Sequence, residues 1–152
     1  MAETNNAEVK TNELSAEELA QQYTGSLVEK AREAERIYAT YSQEQVDKIV
    51  AAMALAGSEA SLELAKEAHE ETGRGVVEDK DTKNHFATEY VYERIKNEKT
   101  VGIIGEDKVA GSIQIAAPLG VLAGIVPTTN PTSTTMFKIL VALKTRNAIV
   151  FA

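Results

Sequence analysis

The chain has 152 residues, 43% of them hydrophobic and 26% charged, with a formal net charge of -7. That is enough apolar material for one modest core, and the acidity disfavours a nucleic-acid partner, whose phosphates it would repel. There is no cysteine, which excludes disulfides, thiolate metal sites and a cysteine nucleophile within these residues.

Residues 1–20 set Glu3, Glu8, Glu13, Glu17 and Glu18 against Lys10 alone. They lack the apolar core of a secretory signal, and the apolar stretches further on fall far short of the ~20 residues of a membrane span. A cytoplasmic protein with no membrane partner is therefore expected, with an acidic flexible tail over 1–22 in which a helix start at Ser15 stays open. Leu27, Ala31, Ala34, Tyr38 and Tyr41 recur at helical steps, so a helix is predicted over 24–41. Ser42 and Gln45 form the S-x-x-Q signature of a capping box for the next helix. That helix carries Val46, Ile49, Val50 and Met53 on one face, with Gly57 as its expected stop. A third helix is predicted over 58–71, along Leu62, Ala65, Ala68 and His69, ended by Gly73 and Gly75. A fourth spans 78–97, with Phe86, Tyr90 and Val91 as its apolar side.

The period then changes. Residues 101–104 and 111–115 read as short strands, the second alternating as an antiparallel pair would. Leu119 to Val126, between Pro118 and Pro127, reads as a buried strand. Residues 127–131 form a loop, and Thr132, Ser133 or Thr134 can cap a helix bearing Met136, Phe137, Leu140, Val141 and Leu143. Residues 148–152 read as a second buried strand. Strand, loop, helix and strand make a βαβ unit with an expected right-handed crossover. Ligands of open parallel sheets bind beyond the carboxyl ends of the strands, where the 127–133 loop lies. The second strand would leave an apolar edge, so the sequence reads as a fragment.

No G-x-G-x-x-G is present, and Gly120 and Gly124 read as close packing rather than a phosphate cradle. His69 and His85 are the only histidines; they are expected on partly exposed helices, with no metal site. Lys138, Lys144 and Arg146 could meet phosphates, although Lys144 and Arg146 are better placed to complement a helix C-terminus.

Ile125–Ser133 and Leu143–Phe151 resemble segments of the bifunctional aldehyde-alcohol dehydrogenases. Val77–Lys80, Lys83–Ala87 with Glu89 and Tyr90, and Gln43–Ile49 are similar to the N-terminal half of the same family. The resemblance implies the beginning of a CoA-acylating acetaldehyde dehydrogenase of the aldehyde dehydrogenase superfamily. The implied fold is α/β: helices over 23–98, then strands and the first βαβ unit of a Rossmann-like NAD-binding domain over 99–152. The implied reaction turns acetaldehyde, CoA and NAD into acetyl-CoA and NADH, in the fermentative ethanol pathway and in a homo-oligomer. The family's iron-dependent alcohol dehydrogenase half comes later, so iron is not expected here.

The superfamily supplies an oxyanion donor from an Asn in the loop matching 127–131. Asn130 is the Asn present, while an ungapped match through Pro127, Pro131 and Asn147 puts Thr129 at that position; both are candidates. Ile125, Val126, Pro127 and Thr128 match the stretch along the nicotinamide half of NAD, whereas Ala152 stands where a cofactor-contacting lysine is common. The family's nucleophilic cysteine comes later, so the chain alone is expected to be inactive. The competing expectation is a non-catalytic helical module that binds a partner or caps a family assembly.

Overall fold

A computed structural model describes residues 14–152. Ser15 and Ser42 open α1 (Ala16–Tyr38) and α2 (Gln43–Glu59), each accepting from the N–H of the third helical residue. The side chains of Glu18 and Gln45 return to the serine N–H groups, so both helices start with a full capping box. Bonds from the Ser15 backbone and hydroxyl hold the Glu18 carboxyl below its ordinary pKa. The first box extends α1 back over residues 16–22, which the sequence reading assigned to the tail. The rest of that tail, residues 1–13, lies outside the described residues.

α2 runs through Gly57 rather than stopping there. The glycine is a packing requirement: a Cβ would sit 2.7 Å from Thr88 Cγ2 and 3.7 Å from Met136 Cγ. α3 (Ser61–Thr72) does end as expected, on Gly73 with φ of 62°. α4 (Val77–His85) passes into a π-helical turn (Phe86–Tyr90) and then α5 (Val91–Ile95). The wider turn changes which side chains face inward. Phe86 and Tyr90, expected on the apolar side, are 61% and 66% exposed and stack on each other at 5.7 Å. Ala87 and Thr88 are buried in their place.

β1 (Gly102–Asp107) pairs antiparallel with β2 (Ser112–Ala116). β3 (Val121–Gly124) pairs parallel with β4 (Ala148–Phe151), joined through α6 (Pro131–Lys144). The βαβ unit is thus present. Its strands are less buried than expected: Leu119 and Ile125 are 87% and 74% exposed, and within β3 only Gly124 is buried. A lone parallel pair has no flanking strands to close its edges, which explains the difference.

The core is Val46, Val50 and Ala54 of α2 against Leu140 of α6, with Tyr38, Tyr92, Ile95 and Leu143 packed around it. Lys144, expected as a surface complement to the α6 dipole, is buried. Its ammonium meets Asp47 at 2.6 Å and the Lys96 carbonyl at 3.0 Å. Arg146 likewise turns inward, with φ of 58°, and donates to the Ala39 and Ala116 carbonyls. Both cations are cross-links because the backbone at the end of α6 aims them into the protein, where only carbonyls and Asp47 can satisfy them.

Breaking the Asp47–Lys144 pair from its two ends is expected to be unequal. Asp47→Ala strands a buried ammonium and should cost about 3 kcal/mol, whereas Lys144→Met leaves a carboxylate that water still reaches and should cost about 1.5 kcal/mol. Urea unfolding of the two variants reads this order directly. Gly57→Ala should lose about 1 kcal/mol, because overpacking against Thr88 at about 1–3 kcal/mol outweighs a helix-propensity gain of about 1 kcal/mol. Adding Thr88→Ser removes the clashing methyl, and recovery of the melting temperature is the expected result. Finally, burial pushes the Tyr38 phenol up to about 12 from an ordinary value of 10.0, and its hydroxyl donates to the Leu143 carbonyl at 3.0 Å. A raised folded-state pKa gives stability that is whole below pH ~10 and is lost as pH rises toward ~12. Tyr38→Phe should flatten that alkaline loss in melts across the interval.

Candidate functional site

The site grows from the carboxyl end of β3. Gly124 is there because a Cβ would lie 2.7 Å from Phe151 Cδ1 and 2.9 Å from Ile149 Cδ1. That closeness lets the parallel ladder run on: Ala152 N donates to the Gly124 carbonyl and Val126 N to the Ala152 carbonyl, both at 3.0 Å. Ile125 is left exposed, and its carbonyl accepts from Lys138 Nζ at 2.6 Å. Pro127 opens a turn closed by Asn130 N donating to its carbonyl at 3.2 Å. Pro131 then starts α6, suited to a first turn whose N–H groups have no intrahelical partner.

Asn130, not Thr132, Ser133 or Thr134, occupies the N-cap position, and its side chain makes no cap bond. The carboxamide is engaged on the other side. Its Oδ1 accepts from Lys83 Nζ at 3.1 Å and its Nδ2 donates to Thr129 Oγ1 at 3.3 Å. The Thr129 hydroxyl therefore accepts from Asn130 and keeps its own proton to donate. Thr128 and Thr129 are exposed, and Asn130 is half-buried.

The loop is gripped from α4. Lys80, 4% exposed, donates from Nζ to the Thr129 carbonyl at 3.1 Å. Asn84, fully buried, accepts from Thr132 Oγ1 at 2.8 Å and donates to the Ser61 carbonyl at 3.0 Å. In the sequence Lys80, Lys83 and Asn84 fall within the family-like segments Val77–Lys80 and Lys83–Ala87, without a residue-level signal of their own. Their i, i+3, i+4 spacing puts them on one helix face, but it does not point to a loop some fifty residues on.

The six sequence-predicted residues thus run from the end of the ladder, at Ile125 and Val126, through the turn over Pro127–Asn130. Exposed Ile125 and half-buried Val126 offer an apolar edge with hydroxyls beside it. The nearby cations Lys80, Lys83 and Lys138 already donate to oxygens of the loop. With those ammonium groups engaged, the edge fits a flat ring better than a phosphate. The histidines stand apart from it. His85 faces Glu89 at 2.9 Å and Asp81 at 3.6 Å, and the Ser58 hydroxyl, then His85, hold the Glu89 carboxyl below its ordinary pKa. Among the described residues no group of three or more His, Cys, Asp or Glu could hold a metal ion.

Comparison with known proteins bears on the family and the fold. Residues 3–152 match the model of the aldehyde dehydrogenase family. Over 127 residues the chain is 58% identical to the bifunctional aldehyde-alcohol dehydrogenase AdhE of Escherichia coli K12, covering 84% of this chain and 14% of that protein. This chain therefore spans only a small N-terminal share of such a relative. An acetylating aldehyde dehydrogenase from Geobacillus thermoglucosidasius is 50% identical with a TM-score of 0.85, over 88% of this chain and 29% of that one. The propionaldehyde dehydrogenase of Rhodopseudomonas palustris, solved with bound CoA and an acylated cysteine, is 28% identical with a TM-score of 0.66, over 84% and 29%. With a family match along nearly its whole length and the fold of acetylating members, this chain belongs to the aldehyde dehydrogenase family, where it is similar to the N-terminal part of the aldehyde-alcohol dehydrogenases.

Proposed function

We propose that this chain supplies one wall of the nicotinamide site and the oxyanion-stabilising loop of a CoA-acylating, NAD-dependent acetaldehyde dehydrogenase. The observation that carries the reading is the turn at the carboxyl end of β3, where an apolar edge and a polarised hydroxyl lie within six residues. The net reaction is aldehyde, CoA and NAD+ to acyl-CoA, NADH and a proton. NAD, when bound, supplies the hydride acceptor. Ile125, Val126, Pro127 and Thr128 would hold its nicotinamide end by apolar contact. The thiolate that adds to the aldehyde comes from a cysteine outside these 152 residues, since none is present within them.

As the thiolate adds, negative charge develops on the aldehyde oxygen and needs a fixed donor. The bonding pattern favours a relay. Lys83 polarises the Asn130 carboxamide, Asn130 donates to Thr129 Oγ1, and the Thr129 hydroxyl donates to the oxyanion. Each donor in such a chain strengthens the next. Thr129 is then the contacting group and Asn130 its support, which reconciles the two candidates of the sequence reading.

CoA is the acyl acceptor and the complete enzyme a homo-oligomer. The oligomer is supported by the apolar ribbon of β1 and β2, where Ile103, Ile113 and Ile115 are each more than half exposed. The same ribbon is what favours the alternative, a non-catalytic interaction module. No described helix is long and apolar enough to cross a membrane; with the acidic, cysteine-free composition, this supports a cytoplasmic protein.

The test is a graft of residues 16–152 into the matching stretch of the Escherichia coli relative, assayed for CoA-dependent NADH formation from acetaldehyde. The graft should turn over, Thr129→Ala should lower kcat by about 100-fold and Asn130→Ala by about tenfold, while the isolated chain forms no NADH. Turnover by the isolated chain would defeat the reading, and so would unchanged kcat in both variants. A graft that folds but is inactive favours the interaction module.

A further inference from the structure

Lys80 is an unusual expense for a fold of this size. Its side chain is 4% exposed, yet among the described residues its Nζ has no carboxylate partner and one hydrogen bond, to the Thr129 carbonyl at 3.1 Å. Burying an ammonium on a single carbonyl is poor stability engineering, since an apolar side chain would fill the space at lower desolvation cost. One turn on, Lys83 reaches the same loop and takes Asn130 Oδ1 at 3.1 Å. Asn84 of the same helix face accepts from Thr132 Oγ1 at 2.8 Å. Residues 129, 130 and 132 are thus each tied to one polar face of α4, by two ammonium groups and one carboxamide.

We infer that Lys80 and Lys83 are positioning residues for the loop, with Lys80 fixing the Thr129 backbone and Lys83 fixing which way the Asn130 carboxamide points. This rests on the functional reading above. A carboxamide can flip, presenting either oxygen or N–H to a neighbour. With its oxygen on the Lys83 ammonium, only its N–H is left for Thr129 Oγ1, and the threonine proton is then directed away from Asn130. Flipped, the carboxamide oxygen would accept that proton and remove the donor from the site. Lys83 is exposed, so its bond adds little to stability, which separates orientation from folding.

The experiment has two arms. The first follows the 152-residue chain by NMR. Lys83→Met should leave the melting temperature unchanged but move the side-chain amide pair of Asn130, and Lys83→Arg should restore it. Lys80→Met should speed hydrogen exchange at the Asn130 N–H, which bonds the Pro127 carbonyl. The second uses the grafted enzyme: Lys83→Met should lower kcat about tenfold with KM for acetaldehyde and CoA unchanged, and Lys83→Arg should recover most of it. An Asn130 amide that does not move in Lys83→Met overturns the inference, whatever the kinetics. So does a Lys83→Met graft with parental kcat when Thr129→Ala and Asn130→Ala are impaired; the loop is then functional and α4 only structural. If Thr129→Ala and Asn130→Ala both keep full kcat, the site reading itself falls and takes the positioning role with it.

Discussion

The position of the loop depends on one buried carboxamide. Asn147 is 3% exposed, and its Oδ1 accepts from the backbone N–H groups of Leu119 and Gly120 at 2.6 and 2.8 Å, while its Nδ2 donates to Thr145 Oγ1 at 2.7 Å. The bonds join the end of α6 to the approach to β3 and set where β3 begins beside β4. A parallel pair has no hairpin to fix its register, so a side chain must do it. From that start the ladder runs Val121 to Ala148 and on to Gly124 with Phe151. The loop over 127–130 follows β3 where the ladder ends.

Three lysines of the α4 and α6 helices show how context decides the use of one chemical group. Lys144 is buried against a carboxylate and ties the end of α6 to α2. Lys80 is equally buried but meets only a carbonyl, and Lys138 donates to the Ile125 carbonyl from a less enclosed position. A salt link and two carbonyl bonds have different consequences. The first is a stability element whose partner suffers when it is removed. The others restrain a turn that has few backbone bonds of its own.

The π-helical turn at 86–90 serves the same end. By admitting a wider turn, it places Ala87 and Thr88 against the interior and leaves Phe86 and Tyr90 outside. Thr88 packs into the space that Gly57 provides, and its hydroxyl donates to the Asn84 carbonyl at 2.8 Å. Asn84 in turn meets Thr132 at the start of α6. A backbone irregularity in one helix thereby connects α2, α4 and α6 beside the loop.

Local signals in the sequence determined what local physics governs. Ser42 with Gln45 marked a helix start, Gly73 a helix end, and the change from helical to alternating period marked the strands, because caps, left-handed glycines and periodicity each act within a few residues. The proline-bounded loop after β3 was legible as a loop for the same reason. Tertiary structure alone decided the rest. Gly57 looked like a stop until Thr88 and Met136 filled the space beside it. Lys144 and Arg146 looked like surface complements to a helix end until Asp47 and distant carbonyls came within reach. Lys80 and Lys83 carried no role until the loop, some fifty residues on, folded back onto α4. Each of these depends on a partner far away in the chain, and one-dimensional spacing holds no record of that distance.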